Sequence, residues 1–216
     1  MSLQKKDFIE IEFSAKIKEG GIFDSNIKEE LAKAGIQGET KPLVFCLGEG
    51  MFLKGVEDFL IGKKIGEYAI ELSPENAFGK RNPKLITMVP LKEFKAQNIN
   101  PIPGSIFNMD GRLAKVLTVS SGRVMLDFNN PLAGKEVIYE IHVLKKVEDL
   151  NEKTKSLIEF FFRQDFEFKI EDKKLTLNAT KEFKQFAELF KDKFKEILDL
   201  DLIVEEIENK ESNNSK

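Results

Sequence analysis

Hydrophobic and polar residues alternate over residues 8–17, with Ile9, Ile11, Phe13, Ala15 and Ile17 on one face and Glu10, Glu12, Ser14 and Lys16 on the other. A period of two over that length predicts a half-buried strand. Gly20-Gly21 then turns the chain, residues 28–33 have a helical pattern, and Pro42 introduces a second apolar strand over 43–47, closed by Gly48-Glu49-Gly50. A short helix around 56–61, ended by Gly62, precedes a strand over 67–72. In Ser73-Pro74-Glu75-Asn76-Ala77-Phe78-Gly79 the serine suits a cap, the proline a first helical position and the glycine an exit, so one helical turn is expected in a loop.

The stretch 83–130 changes character, with prolines at 90, 101 and 103 ahead of strand-like segments at 105–107, 115–119 and 123–128. Ser120-Ser121-Gly122 makes the turn between the last two. A further strand over 136–147 carries Val137, Tyr139, Ile141 and Val143 on one face. Beyond Glu148, Leu157, Ile158, Phe161 and Phe162 sit at helical spacing, Phe166, Phe168 and Ile170 alternate with charges, and Asp172-Lys173 can turn the chain into Leu175 and Leu177. Thr180 can cap a helix with apolar positions 183, 186, 187, 190, 194, 197 and 198 in one stripe, followed by a strand over 200–204 and a polar tail. This last part is expected to be a separate α-β-β-α-β unit with its own core, and 209–216 a disordered end.

Composition narrows the classes. A chain of 216 residues supports two or three small domains. With 33% charged residues, 41% hydrophobic ones and a net charge of −3, it has the composition of a globular protein. No run approaches the ~20 apolar residues of a membrane helix. Glu10 and Glu12 interrupt the positions where an export signal needs apolar ones, so a cytoplasmic location is expected. Cys46, the single cysteine, forms no internal disulfide and reads as a core residue. Lysines and acids are interspersed, which argues against a nucleic-acid partner. The single histidine, His142, cannot anchor a multi-histidine site, Gly48-Glu49-Gly50 is no complete phosphate loop, and neither a metal nor a cofactor is expected.

Several segments, in order, resemble the FKBP family of peptidyl-prolyl isomerases. They are the strand ending in Phe13, Gly21-Ile22-Phe23-Asp24-Ser25, Pro42-Leu43-Val44-Phe45-Cys46-Leu47-Gly48-Glu49-Gly50, Phe52-Leu53-Lys54-Gly55-Val56-Glu57, Glu75-Asn76-Ala77-Phe78-Gly79 and Val137-Ile138-Tyr139-Glu140-Ile141. Arg81-Asn82-Pro83, the Val89-Pro90 step and Asn129-Asn130-Pro131-Leu132-Ala133-Gly134 look like the borders of the domain inserted in the flap of SlyD-like members. The part after Glu148 resembles the extension of the longer archaeal members. The resemblance implies an α+β fold: an FKBP antiparallel sheet with a short helix, an inserted mostly-β domain, and a C-terminal α-β-β-α-β domain. The implied limits are 1–83 plus 130–148 for the catalytic domain, 84–129 for the insert and 149–208 for the C-terminal domain.

It also implies the site. Asp24, which on residue type alone would cap a turn, faces the apolar pocket of the substrate proline, with Phe78 and Tyr139 as its other catalytic positions. Phe13, Phe23, Leu43, Phe45, Phe52, Leu53, Val56 and Leu132 would bind substrate, although aromatics on strand faces are more often plain core. Three departures stand out: Phe78 where the family has tyrosine, Phe13 where many members have tyrosine, and Val56 where the best-known members have tryptophan. A wider, less polar pocket with weaker macrolide binding is expected. Met88, Val89, Phe94 and Ile102 would hold unfolded chains on the insert, the plain alternative being that they form its core. The implied partners are unfolded or nascent polypeptides containing Xaa-Pro, with no membrane, and a homodimer through the C-terminal domain as a candidate assembly. The competing reading is a non-catalytic holdase on the same fold.

Overall fold

The computed structural model of the chain describes residues 2–109 and 111–206, and the tail expected over 209–216 lies outside the described residues. The elements, in chain order, begin with β1 (Phe8–Ile17), β2 (Ile22–Ser25), α1 (Lys28–Ala34), β3 (Leu43–Cys46), α2 (Lys54–Leu60) and β4 (Gly66–Leu72). A 3-10 turn at Pro74–Asn76 stands where one helical turn is expected. There follow β5 (Ile86–Pro90), α3 (Leu91–Ala96), β6 (Ile106–Met109), β7 (Arg112–Ser120), β8 (Arg123–Asp127) and β9 (Val137–Val147). The chain continues with α4 (Leu150–Phe162), β10 (Phe168–Glu171), β11 (Lys174–Ala179), α5 (Lys181–Glu188), α6 (Lys191–Leu198) and β12 (Asp201–Glu206). These elements form two compact units, one of residues 2–16, 20–70 and 138–206, the other of 17–19 and 71–137.

The first unit is built on a sheet of order β2-β1-β9-β4, with β3 also paired to β1. β2 and β3 share one edge of β1: Phe8 to Ile11 pair with β3, and Ser14 to Lys16 with β2, all antiparallel. The second sheet of this unit, β10-β11-β12, begins with an antiparallel hairpin turned by Asp172 and Lys173, both at positive φ. β11 and β12 are parallel, which requires the crossover that α5 and α6 provide. The single stripe expected after Thr180 is carried by these two short helices. At their junction the N–H groups of Leu189 and Phe190 reach back only three residues, to Phe186 and Ala187.

The structure corrects one expectation about the C-terminal part: its core is not its own. Phe8, Cys46 and Val147 belong to the same buried cluster as Leu157, Ile158, Phe162, Leu175, Phe194 and Leu202. The reason lies in β3, which is apolar on both faces. Leu43 and Phe45 alternate with Val44 and Cys46, so the strand can be covered on either side. α4 is capped by the Asp149 carboxylate, which accepts the Glu152 N–H, and it packs Leu157 and Ile158 into this cluster. Phe162 sits at its centre, within 5.2–6.1 Å of the rings of Phe166, Phe183, Phe186, Phe190 and Phe194.

The second unit is a four-stranded antiparallel sheet, β5-β8-β7-β6, with α3 against it. Its core is Phe94, Ala114, Val116, Val124 and Leu126. Ser121 and Gly122 take φ of 50 and 73, the two left-handed positions that a tight hairpin between β7 and β8 needs. Across its base the Arg81 guanidinium bonds the Asp127 carboxylate at 2.5 Å, and Asn82 and Asn129 exchange hydrogen bonds of 2.8 and 3.0 Å.

Candidate functional site

Phe13 on β1, Phe23 on β2, Phe45 on β3, Phe52 ahead of α2 and Tyr139 on β9 bring their rings together in the first unit. Phe52 is the hub. Its centroid lies 5.1 Å from Phe13, 5.3 Å from Phe45 and 5.7 Å from Tyr139, and Tyr139 is in turn 6.1 Å from Phe23 and 6.2 Å from Phe13. Edge-to-face and offset arrangements at these distances are the favourable ones. Val56 on α2 is fully buried, and Leu43 and Leu53 are half-buried.

Asp24 reaches this cluster through an irregularity. Ala15 pairs with Asp24 but Lys16 pairs with Ile22, so Phe23 is the extra residue of a bulge. In a regular strand Phe23 and Asp24 would point to opposite faces; a bulge re-aims them. Accordingly the ring of Phe23 contacts Tyr139, and the charge of Asp24 also acts on Tyr139. Burial, with the Asp24 charge added, holds the Tyr139 phenol well above its ordinary value, so it is a neutral donor. Asp24 itself is exposed as a residue, yet desolvation raises its carboxyl above the usual range, against the lowering effect of the Ser25 N–H.

Three residues that sequence reasoning did not single out hold this arrangement. Between the stretches of β1 paired to β3 and to β2 there is a gap, and the buried side chain of Asn26 fills it. Its amide oxygen accepts the Phe13 N–H at 2.7 Å, and its amide nitrogen donates to the carbonyls of Ile11 and Lys41 at 3.0 and 3.1 Å. The Ser25 hydroxyl donates to the Phe13 carbonyl at 2.8 Å. Glu57, 2% exposed, accepts the N–H groups of Gly48, Gly50 and Phe52 at 2.7, 3.2 and 2.7 Å, fixing the loop that delivers the Phe52 ring.

Phe78 and Leu132 lie in the second unit, both half-buried. Of the residues expected to hold peptides there, Phe94 is 4% exposed inside the core and Val89 packs against it, whereas Met88 and Ile102 are each 58% exposed. Ile106 and Leu113 are also exposed, on neighbouring strands. Burial and the charges of Glu49 and Glu57 push the Cys46 thiol up to about 12, so it is protonated and inert. His142 is exposed. Among the described residues no cluster of three His, Cys, Asp or Glu could hold a metal, and no helix is long and apolar enough to cross a membrane.

The first unit thus gathers five aromatic rings, with a partly desolvated carboxylate acting on one of them. Comparison with known proteins shows the family. The chain is 30% identical over 145 residues to the short-type peptidyl-prolyl cis-trans isomerase of Methanocaldococcus jannaschii, covering 65% of this chain and 92% of that protein. It is 29% identical over 150 residues to the FKBP-type 16 kDa isomerase of Escherichia coli K12, covering 67% and 93%. It is 28% identical over 127 residues to the SlyD isomerase of Helicobacter pylori, covering 57% and 63%. Residues 87–132 match the family model of the FKBP26 IF domain. The chain belongs to the family of FKBP-type peptidyl-prolyl cis-trans isomerases, an enzyme family, and carries that family's insert in the flap.

Proposed function

We propose that the chain accelerates cis-trans isomerisation of Xaa-Pro bonds in unfolded or nascent polypeptides in the cytoplasm, with the prolyl ring received on the aromatic floor beside Asp24. The observation that carries this reading is the convergence of five rings from four strands and a loop, one of which, Tyr139, lies in the field of the partly desolvated Asp24 carboxylate.

Rotation about a prolyl bond must break amide resonance, a barrier of about 18–20 kcal/mol. No proton and no covalent bond has to move. The planar amide is more dipolar than the twisted one, so an apolar site stabilises the twisted form relative to the planar one. Each ~1.4 kcal/mol of that difference gives about a factor of ten in rate. The role of Asp24 is electrostatic, opposing the rotating carbonyl dipole, and Tyr139 is a neutral hydroxyl within its field.

The insert captures chains before their prolines are turned over. Support comes from the apolar side chains its unit leaves in solvent, Met88, Ile102, Ile106 and Leu113, since methionine and branched aliphatics accept varied partners. Two weak sites on one molecule raise each other's effective concentration. Phe186 and Leu189, also exposed, suit self-association through the C-terminal part.

Proline-limited refolding tests the reading against a holdase. The expected result is an accelerated slow phase that Asp24→Ala reduces at least tenfold while suppression of aggregation is retained. Suppression of aggregation with an unchanged slow phase establishes the holdase instead.

A further inference from the structure

Among the described residues β3 pairs with β1 alone, which leaves its other edge without a strand. The Leu47 N–H donates back to Asp7 of the β1 side, whereas the Cys46 N–H turns outward to the Met51 sulfur at 3.3 Å. Backbone groups alternate in direction along an antiparallel strand. Val44, two residues before Cys46, therefore also presents its N–H and C=O outward, with no strand beside them among the described residues. Along that edge runs a groove of about 490 Å3 whose walls include Leu43, Val44 and Phe45 on one side and Phe160 and Arg163 on the other. A groove lined by three consecutive residues of a strand, whose side chains alternate between its two faces, lies at the edge of the strand.

The groove has a composition suited to an extended peptide. Phe160 is half-buried, with the Arg163 guanidinium 5.3 Å over its ring, and Met51 supplies a second adaptable apolar surface. Lys41, at the rim, is already engaged by Glu39 at 3.3 Å and Glu159 at 3.6 Å. The volume matches sites that enclose most of a small ligand, the size of a few residues of chain.

We propose that the groove docks the extended stretch of the substrate polypeptide next to the proline being isomerised, which adds to β3 as a short strand at Val44 and lays an apolar side chain against Phe160. This rests on the isomerase reading, and it deepens it. Leu43 and Phe45 belong to the lining of the groove, and Phe45, itself 1% exposed, stacks on Phe52 at the centre of the aromatic cluster, so the groove and the cluster lie against the same short strand. Backbone pairing supplies affinity without demanding a sequence, as fits an enzyme meeting many clients. The C-terminal extension, by contributing α4, becomes the part that favours long substrates over short ones.

Turnover of an Xaa-Pro tetrapeptide and of a dodecapeptide containing it, by the full chain and by Phe160→Ala, tests this. Phe160 lies outside the buried cluster of this unit. The expected outcome is a higher kcat/KM for the dodecapeptide in the unaltered protein, lowered about three- to tenfold by Phe160→Ala, with tetrapeptide turnover unchanged. Replacing successive amides of the dodecapeptide by esters should show one flanking position where loss of the N–H costs about three- to tenfold, the size of one net hydrogen bond. Absence of a length preference, or equal losses on both peptides, overturns the groove while leaving the isomerase reading intact. If neither peptide is turned over the isomerase reading fails, and binding of the labelled dodecapeptide decides the groove: affinity unaffected by Phe160→Ala overturns it.

Discussion

Asp24 is held above the ordinary aspartate value of 3.8 by desolvation. Isomerase activity that depends on its charge should therefore fall on acidification with a midpoint above 3.8, and Asp24→Asn should lack that limb of the pH profile. Asn26 works at the same scale by different means. It stands in for a missing piece of strand, so Asn26→Ala leaves the buried Phe13 N–H without its acceptor and should destabilise the chain by about 1–3 kcal/mol, read as a lowered urea midpoint. The positions of Phe13, Asp24, Phe45, Phe52 and Tyr139 were legible from ordered motifs. Asn26 and Glu57 were not, because a polar residue beside a turn looks like a cap until the sheet edge and loop around it are known. What distinguishes them is burial, and burial is a property of the assembled sheet.

Among the elements, alternation was the dependable signal: β1 formed where a period of two ran over residues 8–17, and β9 where it ran over 137–143. β2 escaped it, since Phe23 and Asp24 are adjacent and only a bulge makes them useful together. β5 and α3 were hidden by Pro83 and Pro90, which read as loop punctuation yet occupy the first position of a 3-10 turn and the last of a strand. The base of the second unit carries a prediction of its own. Burial pushes the Asp127 carboxyl up, but donation from Asn129 and the Arg81 guanidinium outweigh it and hold it below 3.8. A carboxylate depressed in the folded state contributes stability above its unfolded value and loses it as pH falls through 3.8 toward the lowered one. Hydrogen exchange in β5 and β8 should accelerate over that window, and Arg81→Ala should flatten the dependence.

For the whole molecule, the C-terminal part was readable as a set of elements but not as a partner. A continuously apolar β3 announces that both faces are covered without saying by what. Because Phe8, Cys46 and Val147 share a cluster with α4 and β11, a chain ending at Glu148 exposes them. Each large side chain newly wetted costs about 1.5–3 kcal/mol, against a total stability of about 5–15 kcal/mol. Such a chain should melt at lower temperature and scatter light as aggregates, whereas a monodisperse, equally stable product would show the extension to be dispensable for the fold.

The division of the first unit into separated stretches of chain sets an order in time. β1 receives its neighbour β9 only after residues 71–137 have been made, which at ribosomal speed takes roughly 3–14 s. During that interval the edge of β1 reserved for β9 stands open, a template for any passing strand. The second unit has all but residues 17–19 of itself on one continuous stretch and can fold while the first waits. A protein proposed to shelter unfinished chains is thus, for those seconds, one of them.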